Sequence, residues 1–327
     1  MPTPDPTEFQ RLAAEAVAHH TAGRLDAAEA AYRAALAMAP GHPSITHNLA
    51  TIAAKRGNHR AAIALFDAVL GAEPFHVSAH YNRAAALQSA GMMRAAIDGY
   101  RQAARLEPAH YDAHRNLAFL YLAEGERGRS LDHFARTCEL RRGDDHSAIA
   151  NASLTHATRD KLIHDAAQFR YLAGRHRDAR RFELLAKCYE DVARDFASEP
   201  SPLSPAQRDL IGADYNTAIN VFGAAEIAGP AIDPTLDCGR IAADLASRDT
   251  AVIDSLLTPD AFARLHRFLL ESTIWHDFSH IGGFVASYLE DGLASPLFLQ
   301  IIDELRAALS PILASKPLVQ AWAFKGL

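Results

Sequence analysis

The segment Gly57-Asn-His-Arg-Ala-Ala62-Ile-Ala-Leu-Phe66-Asp-Ala-Val-Leu-Gly-Ala-Glu-Pro74 decides the fold, because its punctuation recurs on both sides of it. Glycine returns at Gly23, Gly57, Gly91 and Gly125, an interval of 34 residues each time, and Pro40, Pro74 and Pro108 keep the same step. Between them, small residues hold the register at Ala28, Ala62 and Ala96, and aromatics at Tyr32, Phe66, Tyr100 and Phe134. Each class has a physical task. Glycine ends a first helix because it turns without cost in the left-handed conformation. Alanine lets two helices approach closely, and the aromatic wedges against the next unit. Proline closes the second helix because it lacks the N–H that a helix interior needs.

A 34-residue period with this grammar resembles the tetratricopeptide repeat. The resemblance implies a right-handed helical solenoid of four repeats over residues 9–142, starting near Phe9, Pro43, Val77 and Tyr111. Each hairpin buries its apolar face only by stacking on a neighbour. The fourth repeat decays at its end, where Arg142 stands in the place of proline before Gly143-Asp144-Asp145. Over 146–197 a helical pattern continues without the repeat grammar. Leu162, Ala166, Phe169, Tyr171 and Leu172, then Phe182, Leu185, Cys188 and Tyr189, predict two or three helices, as a cap or as degenerate repeats. Residues 198–213 read as a linker, opening on the proline- and serine-rich run Ser198 to Pro205. The expected fold class is therefore mainly α, with the solenoid followed by a small, incomplete α+β domain over 214–327.

A chain of 327 residues has room for about two domains. A net charge of -6 gives no reason to expect nucleic acid or an anionic membrane as partner. Cys138, Cys188 and Cys238 are odd in number and far apart, so they form neither a disulfide framework nor a metal site; no disulfide partner is expected. That usage predicts a reducing, cytoplasmic setting. The opening Met-Pro-Thr-Pro-Asp-Pro has no basic or apolar leader region, and no apolar run approaches the ~20 residues of a membrane span.

Asn48, Asn82 and Asn116 also keep the 34-residue step, at the sixth position of the first helix in repeats two to four. In the family this helix lines the concave surface. Two readings follow. Asparagine is common at this place in the repeat, where it satisfies a neighbouring backbone group. Alternatively the three amides form a ladder that grips a peptide backbone, as in the similar solenoid of O-linked N-acetylglucosamine transferases. At roughly 1 kcal/mol per net hydrogen bond, three amides fall short of the ~4 kcal/mol of a millimolar complex. Contacts from His47, Thr51, Tyr81, Gln88, Arg115 and Phe119 are expected to add the rest, for a peptide or protein partner along the concave face.

After residue 214 the character changes. Ala218-Ile-Asn-Val-Phe222 and Ala251-Val-Ile-Asp254 read as short strands, and Thr258-Pro259-Asp260 as a helix start running to about Glu271. Ser295-Pro296 repeats the device for a helix through Leu309, and Leu318-Val-Gln-Ala-Trp-Ala-Phe324 reads as a strand. Ala251-Val-Ile-Asp-Ser-Leu-Leu-Thr-Pro-Asp260 resembles the entry of prolyl-4-hydroxylase-type Fe(II)/2-oxoglutarate oxygenases, and Val319 to Lys325 the strand before that family's iron-binding His-x-Asp. The resemblance covers 250–327 and implies Fe(II) and 2-oxoglutarate as cofactors of a longer form that continues past Leu327. This chain stops before those ligands, so it is assigned no cofactor, catalytic residue or metal ligand of its own. His-x-Asp does occur at His110/Asp112 and His176/Asp178, about the one match chance supplies, and both are expected at the surface. His276-Asp277 and His280 share a glycine-flanked loop. Two function classes remain: a hydroxylase active in a longer form, and a scaffold with no enzymatic role. A glycosyltransferase is disfavoured, because no Gly-rich nucleotide-sugar element follows the linker.

Overall fold

The computed structural model describes residues 6–143, 155–279, 284–313 and 320–326. The chain divides into two compact units, Met1–Leu120 and Tyr121–Leu327.

The first unit is a row of antiparallel helix pairs. α1 (Pro6–Thr21) packs on α2 (Leu25–Met38), α3 (Pro43–Lys55) on α4 (His59–Ala72), and α5 (Val77–Ser89) on α6 (Met93–Leu106). α2 and α4 each also touch the first helix of the following pair. α7 (Tyr111–Ala123) begins the fourth repeat. The punctuation works as its chemistry dictates. Gly57 has φ +75°; its N–H reaches Ala54 O at 2.9 Å and that of Asn58 reaches Ala53 O at 2.9 Å. This pair of bonds satisfies two carbonyls that a helix end leaves bare. Gly91 repeats the arrangement with Gln88 and Leu87. At the other boundary, Ala39, Glu73 and Glu107 swing out of the helix to φ near -130°. The proline that follows each of them disfavours the helical region for its predecessor. Ala28, Ala62 and Ala96 are fully buried, with Tyr32, Phe66 and Tyr100 beside them. The helices of the third pair approach closely at Gly99, where a Cβ would lie 2.9 Å from that of Ala84.

In the second unit α8 (Arg127–Arg142) lacks the closing proline and runs for 16 residues, against 14 for α6. Its last residue is the reason. Arg142 is buried, and its Nε donates to Asp291 at 3.1 Å, also buried, in a short 3-10 turn at Leu289–Asp291. A first core gathers α9 (Arg159–Ala173), α10 (Ala179–Ala193) and α11 (Pro205–Ile211) around Leu162, Phe169, Phe182, Tyr189 and Tyr215. β1 (His156–Ala157) pairs antiparallel with β2 (Ser201–Pro202) at its edge. The 198–213 stretch, read from sequence as a linker, thus holds β2 and α11 and buries Leu203 and Ile211.

α12 (Cys238–Arg248) follows in sequence. The second core is built on α13 (Pro259–Glu271), β3 (Phe284–Tyr288) and α14 (Pro296–Ala308), with Phe268, Trp275, Val285, Leu297 and Ile301 inside. α15 (Ser310–Leu313) follows, and β4 (Trp322–Gly326) pairs antiparallel with β3, Val285 opposite Lys325. α13 and α14 stand where the Thr-Pro and Ser-Pro signals predict. Neither 218–222 nor 251–254 is a strand. Ala218 N–H goes to Arg142 O, Asn220 N–H to the Thr273 hydroxyl and Phe222 N–H to the Ser272 hydroxyl, which leaves no ladder to form. Val252 is 78% exposed, and Ser255 turns the chain at φ +53°. A strand needs a partner, and β-type residues alone do not supply one. Leu318, Val319 and His280 lie outside the described residues. Among the described residues no helix is long and apolar enough to cross a membrane.

Removing one partner of a buried ion pair leaves the other charge uncompensated, at a cost of about 3–5 kcal/mol, whereas an apolar replacement of both is close to neutral. Asp291 keeps a second partner, Arg141, at 3.5 Å, so urea unfolding of Arg142→Met should show a smaller loss of about 1–3 kcal/mol, and the Arg142→Met/Asp291→Leu double variant should recover most of it. A loss below about 1 kcal/mol in the single variant would contradict the anchoring role.

Candidate peptide-binding surface

The sequence-predicted residues sit on three helices of the solenoid. α3 carries His47, Asn48 and Thr51; α5 carries Tyr81, Asn82 and Gln88; α7 carries Arg115, Asn116 and Phe119. All nine are half-buried. The 34-residue step places equivalent side chains at the same turn of successive first helices, so they form one stripe.

Within that stripe each repeat is tied to the one before it. The Asn82 amide nitrogen donates to His47 Nε2 at 3.2 Å, and that of Asn116 donates to the Tyr81 hydroxyl at 3.3 Å. The same aromatic residues stack on a second histidine series. His47 lies 5.0 Å from His76 with planes 19° apart, and Tyr81 lies 4.8 Å from His110 with planes 27° apart. His76 Nδ1 accepts from Ala79 N–H and His110 Nδ1 from Ala113 N–H, each at 3.2 Å, so both imidazoles cap the helix that follows them. One aromatic therefore meets two elements of the next repeat, its cap and its amide.

The structure thus brings His47, Tyr81, Asn82 and Asn116 into one chain of contacts. Asn48 lies beside the His47 imidazole. Thr51 spends its hydroxyl on His47 O at 3.0 Å, and Gln88 accepts from the Tyr100 hydroxyl at 2.9 Å. Arg115 lies over the Phe119 ring at 5.2 Å, a cation–π pair. The residues that sequence reasoning missed are His76 and His110. Their 34-residue spacing was visible, but only their cap geometry shows what the imidazoles do. His110, expected merely at the surface beside Asp112, is one of these caps. His176 lies in the turn between α9 and α10 rather than inside a helix, and its Nδ1 accepts from Asp178 N–H at 3.1 Å. Asp277 accepts from the Tyr288 hydroxyl at 2.8 Å. Among the described residues no group of three His, Cys, Asp or Glu could hold a metal ion.

Residues 19–89 match the tetratricopeptide repeat family. No curated protein matches the chain. Among solved structures it is similar to MamA from Desulfovibrio magneticus RS-1, at 21% identity and a TM-score of 0.40, over 42% of this chain and 77% of that one. It is similar to the first repeat domain of Spaghetti (RPAP3), bound to an HSP90 peptide, at 18% identity and 0.36, over 38% and 99%. It is similar also to a mutant O-GlcNAc transferase of Thermobaculum terrenum, at 24% identity and 0.38, over 42% and 28%.

The stripe carries a titratable weak point. Burial first, then the neighbouring His76, pushes the His47 pKa below its ordinary value. The imidazole is held neutral, as an acceptor for Asn82 must be. A histidine whose folded pKa is depressed contributes stability in full above its unfolded value of about 6.5, and loses it as pH falls below that. Tyrosine does the same work one repeat later, at Tyr81. His47→Tyr should keep the stack and the acceptor while removing the proton, so its melting temperature should fall less than wild type between pH 7.5 and 5.5. Parallel curves for the two proteins would refute the assignment.

Proposed function

We propose that this chain is a protein-binding adaptor whose tetratricopeptide repeats hold an extended peptide along the stripe of α3, α5 and α7. The observation that carries the reading is the tethering of Asn82 and Asn116 through one N–H each. A primary amide has a second N–H and a carbonyl oxygen still to offer, which suit the N–H and C=O of a peptide backbone. A side chain already fixed loses less entropy on binding, so more of each bond appears as affinity. The free thiols Cys138, Cys188 and Cys238 support a reducing, cytoplasmic setting.

A second reading keeps residues 250–327 as the lead-in of an Fe(II)/2-oxoglutarate oxygenase. Two elements favour it: α13, opening after Thr258, and β4, close to where the resemblance puts the final strand. The described residues offer no ligand set that fits iron, so no step is derived through it. The 327-residue chain, supplied with Fe(II) and 2-oxoglutarate, should form no succinate above background; turnover would overturn the adaptor reading.

The ladder is tested with a peptide selected from a displayed library against the whole chain. Binding to the Asn48→Ala/Asn82→Ala/Asn116→Ala variant, followed by fluorescence anisotropy, should weaken at least tenfold while far-UV circular dichroism shows a folded protein. N-methylation of the peptide's contacting amides should weaken it similarly. Equal affinity for variant and wild type would leave the amides without a role in recognition.

A further inference from the structure

One face of α9 is not used in the core. Asp160, Ile163, His164, Ala167, Gln168 and Tyr171 recur at the three- and four-residue spacing of a single helix stripe and line a cavity of about 380 Å³. Leu270, at the end of α13, and Lys325 and Gly326, on β4, form its other walls. The volume falls within the ~300–1,000 Å³ of small-molecule sites, and the walls have the expected character, mainly apolar with a few convergent polar groups.

Two of those polar groups are set for a ligand. The His164 side chain is only 4% exposed, and its Nδ1 lies 3.0 Å from Asp165 Oδ1. The other Asp165 oxygen is paired with Lys161, which is buried too. Burial alone would raise the Asp165 carboxyl, but Lys161 and His164 hold it below its ordinary value, so it is an anion. A carboxylate accepts the Nδ1 proton, and this fixes the tautomer: Nε2 carries the lone pair. Burial pushes the His164 pKa down, which keeps the ring neutral. Its Nε2 is buried and has no hydrogen-bond partner among the described residues. A buried acceptor left unmade is costly; Nε2 is covered in this structure, so a ligand's donor relieves that cost by displacing what covers it. The second group is Lys325, half-buried, with Nζ 5.6 Å from the centre of the Trp275 ring. Gln168 is not available as a donor, because its amide nitrogen is bound to Leu270 O at 3.3 Å and Ser272 O at 2.6 Å. Asp160, an acid on the same wall, opposes a second negative charge in the occupant.

We propose that this cavity binds a small apolar monocarboxylic acid that carries a hydroxyl. Its carboxylate sits on the Lys325 ammonium, its O–H donates to His164 Nε2, and its hydrocarbon body packs on Ile163, Ala167 and Leu270. The site is separate from the peptide stripe and does not depend on that reading.

Three probes separate the terms in calorimetric or ligand-observed NMR titrations of the whole chain. 4-Hydroxyphenylacetate has ring, carboxylate and hydroxyl; phenylacetate lacks the hydroxyl; 4-hydroxybenzyl alcohol lacks the carboxylate. Saturable one-to-one binding is expected for the first, with each of the others about tenfold weaker, the worth of one good hydrogen bond or ion contact. His164→Phe should erase the preference for the hydroxyl, and Lys325→Met the preference for the carboxylate. Ile163 is 46% exposed, so Ile163→Trp fills the cavity without touching the buried charges and should abolish binding in a folded protein. No saturable binding of any probe to wild type, preferences that persist in the two polar variants, or undiminished binding to Ile163→Trp would each overturn the proposal.

Discussion

A pair of short helices cannot bury its apolar side alone, and the first unit is a set of solutions to that constraint. Each pair needs its neighbour at a fixed distance and in a fixed register. The distance comes from Ala28, Ala62 and Ala96, whose side chains are small enough for helices to close on Tyr32, Phe66 and Tyr100. The register comes from polar chemistry between successive first helices, in which His47 and Tyr81 each reach the cap and the amide of the following repeat. Apolar contact is non-directional and tolerates sliding; a hydrogen bond and a ring stack do not. The side chains proposed to meet a peptide are therefore the ones that set the spacing of the surface.

The second unit solves a different problem with buried charge. Arg142 with Asp291, and Lys161 with Asp165 and His164, lie almost wholly out of water. Such groups add little net stability over an apolar core, but they are costly to separate, so they penalise any other arrangement of the elements that carry them. The position that lost the repeat's closing proline became one of these anchors. At Arg142 the helix is no longer stopped, and the chain gains a cation that reaches the turn at Leu289–Asp291.

The repeats were legible because their rules are local. A left-handed glycine, a helix stopped by proline and an alanine at a helix crossing each follow from one residue and its near neighbours. α13 and α14 were legible for the same reason, since Thr258-Pro259 and Ser295-Pro296 each set a proline in the first helical turn. The failures were non-local. Ala218 to Phe222 has strand-like residues, but its N–H groups are taken by Arg142 and by the side chains of Thr273 and Ser272. Ser198 to Pro205 has the composition of a linker, yet Leu203 is buried beside α9 and α10. The candidate peptide surface was half legible: the asparagines stood out by period, while their tethering depends on histidine caps whose part no composition reveals. The α9 cavity was illegible, because its walls come from residues about 100 and 160 positions apart in sequence.

The central claim is that the amide of one repeat and the aromatic of the repeat before it act as a unit. A double-mutant cycle on His47 and Asn82 measures this directly, through urea unfolding of wild type, His47→Ala, Asn82→Ala and the double variant. The account predicts a coupling energy of about 0.5–1.5 kcal/mol, the double variant losing less than the sum of the single ones. Losses that add to within about 0.3 kcal/mol would contradict it.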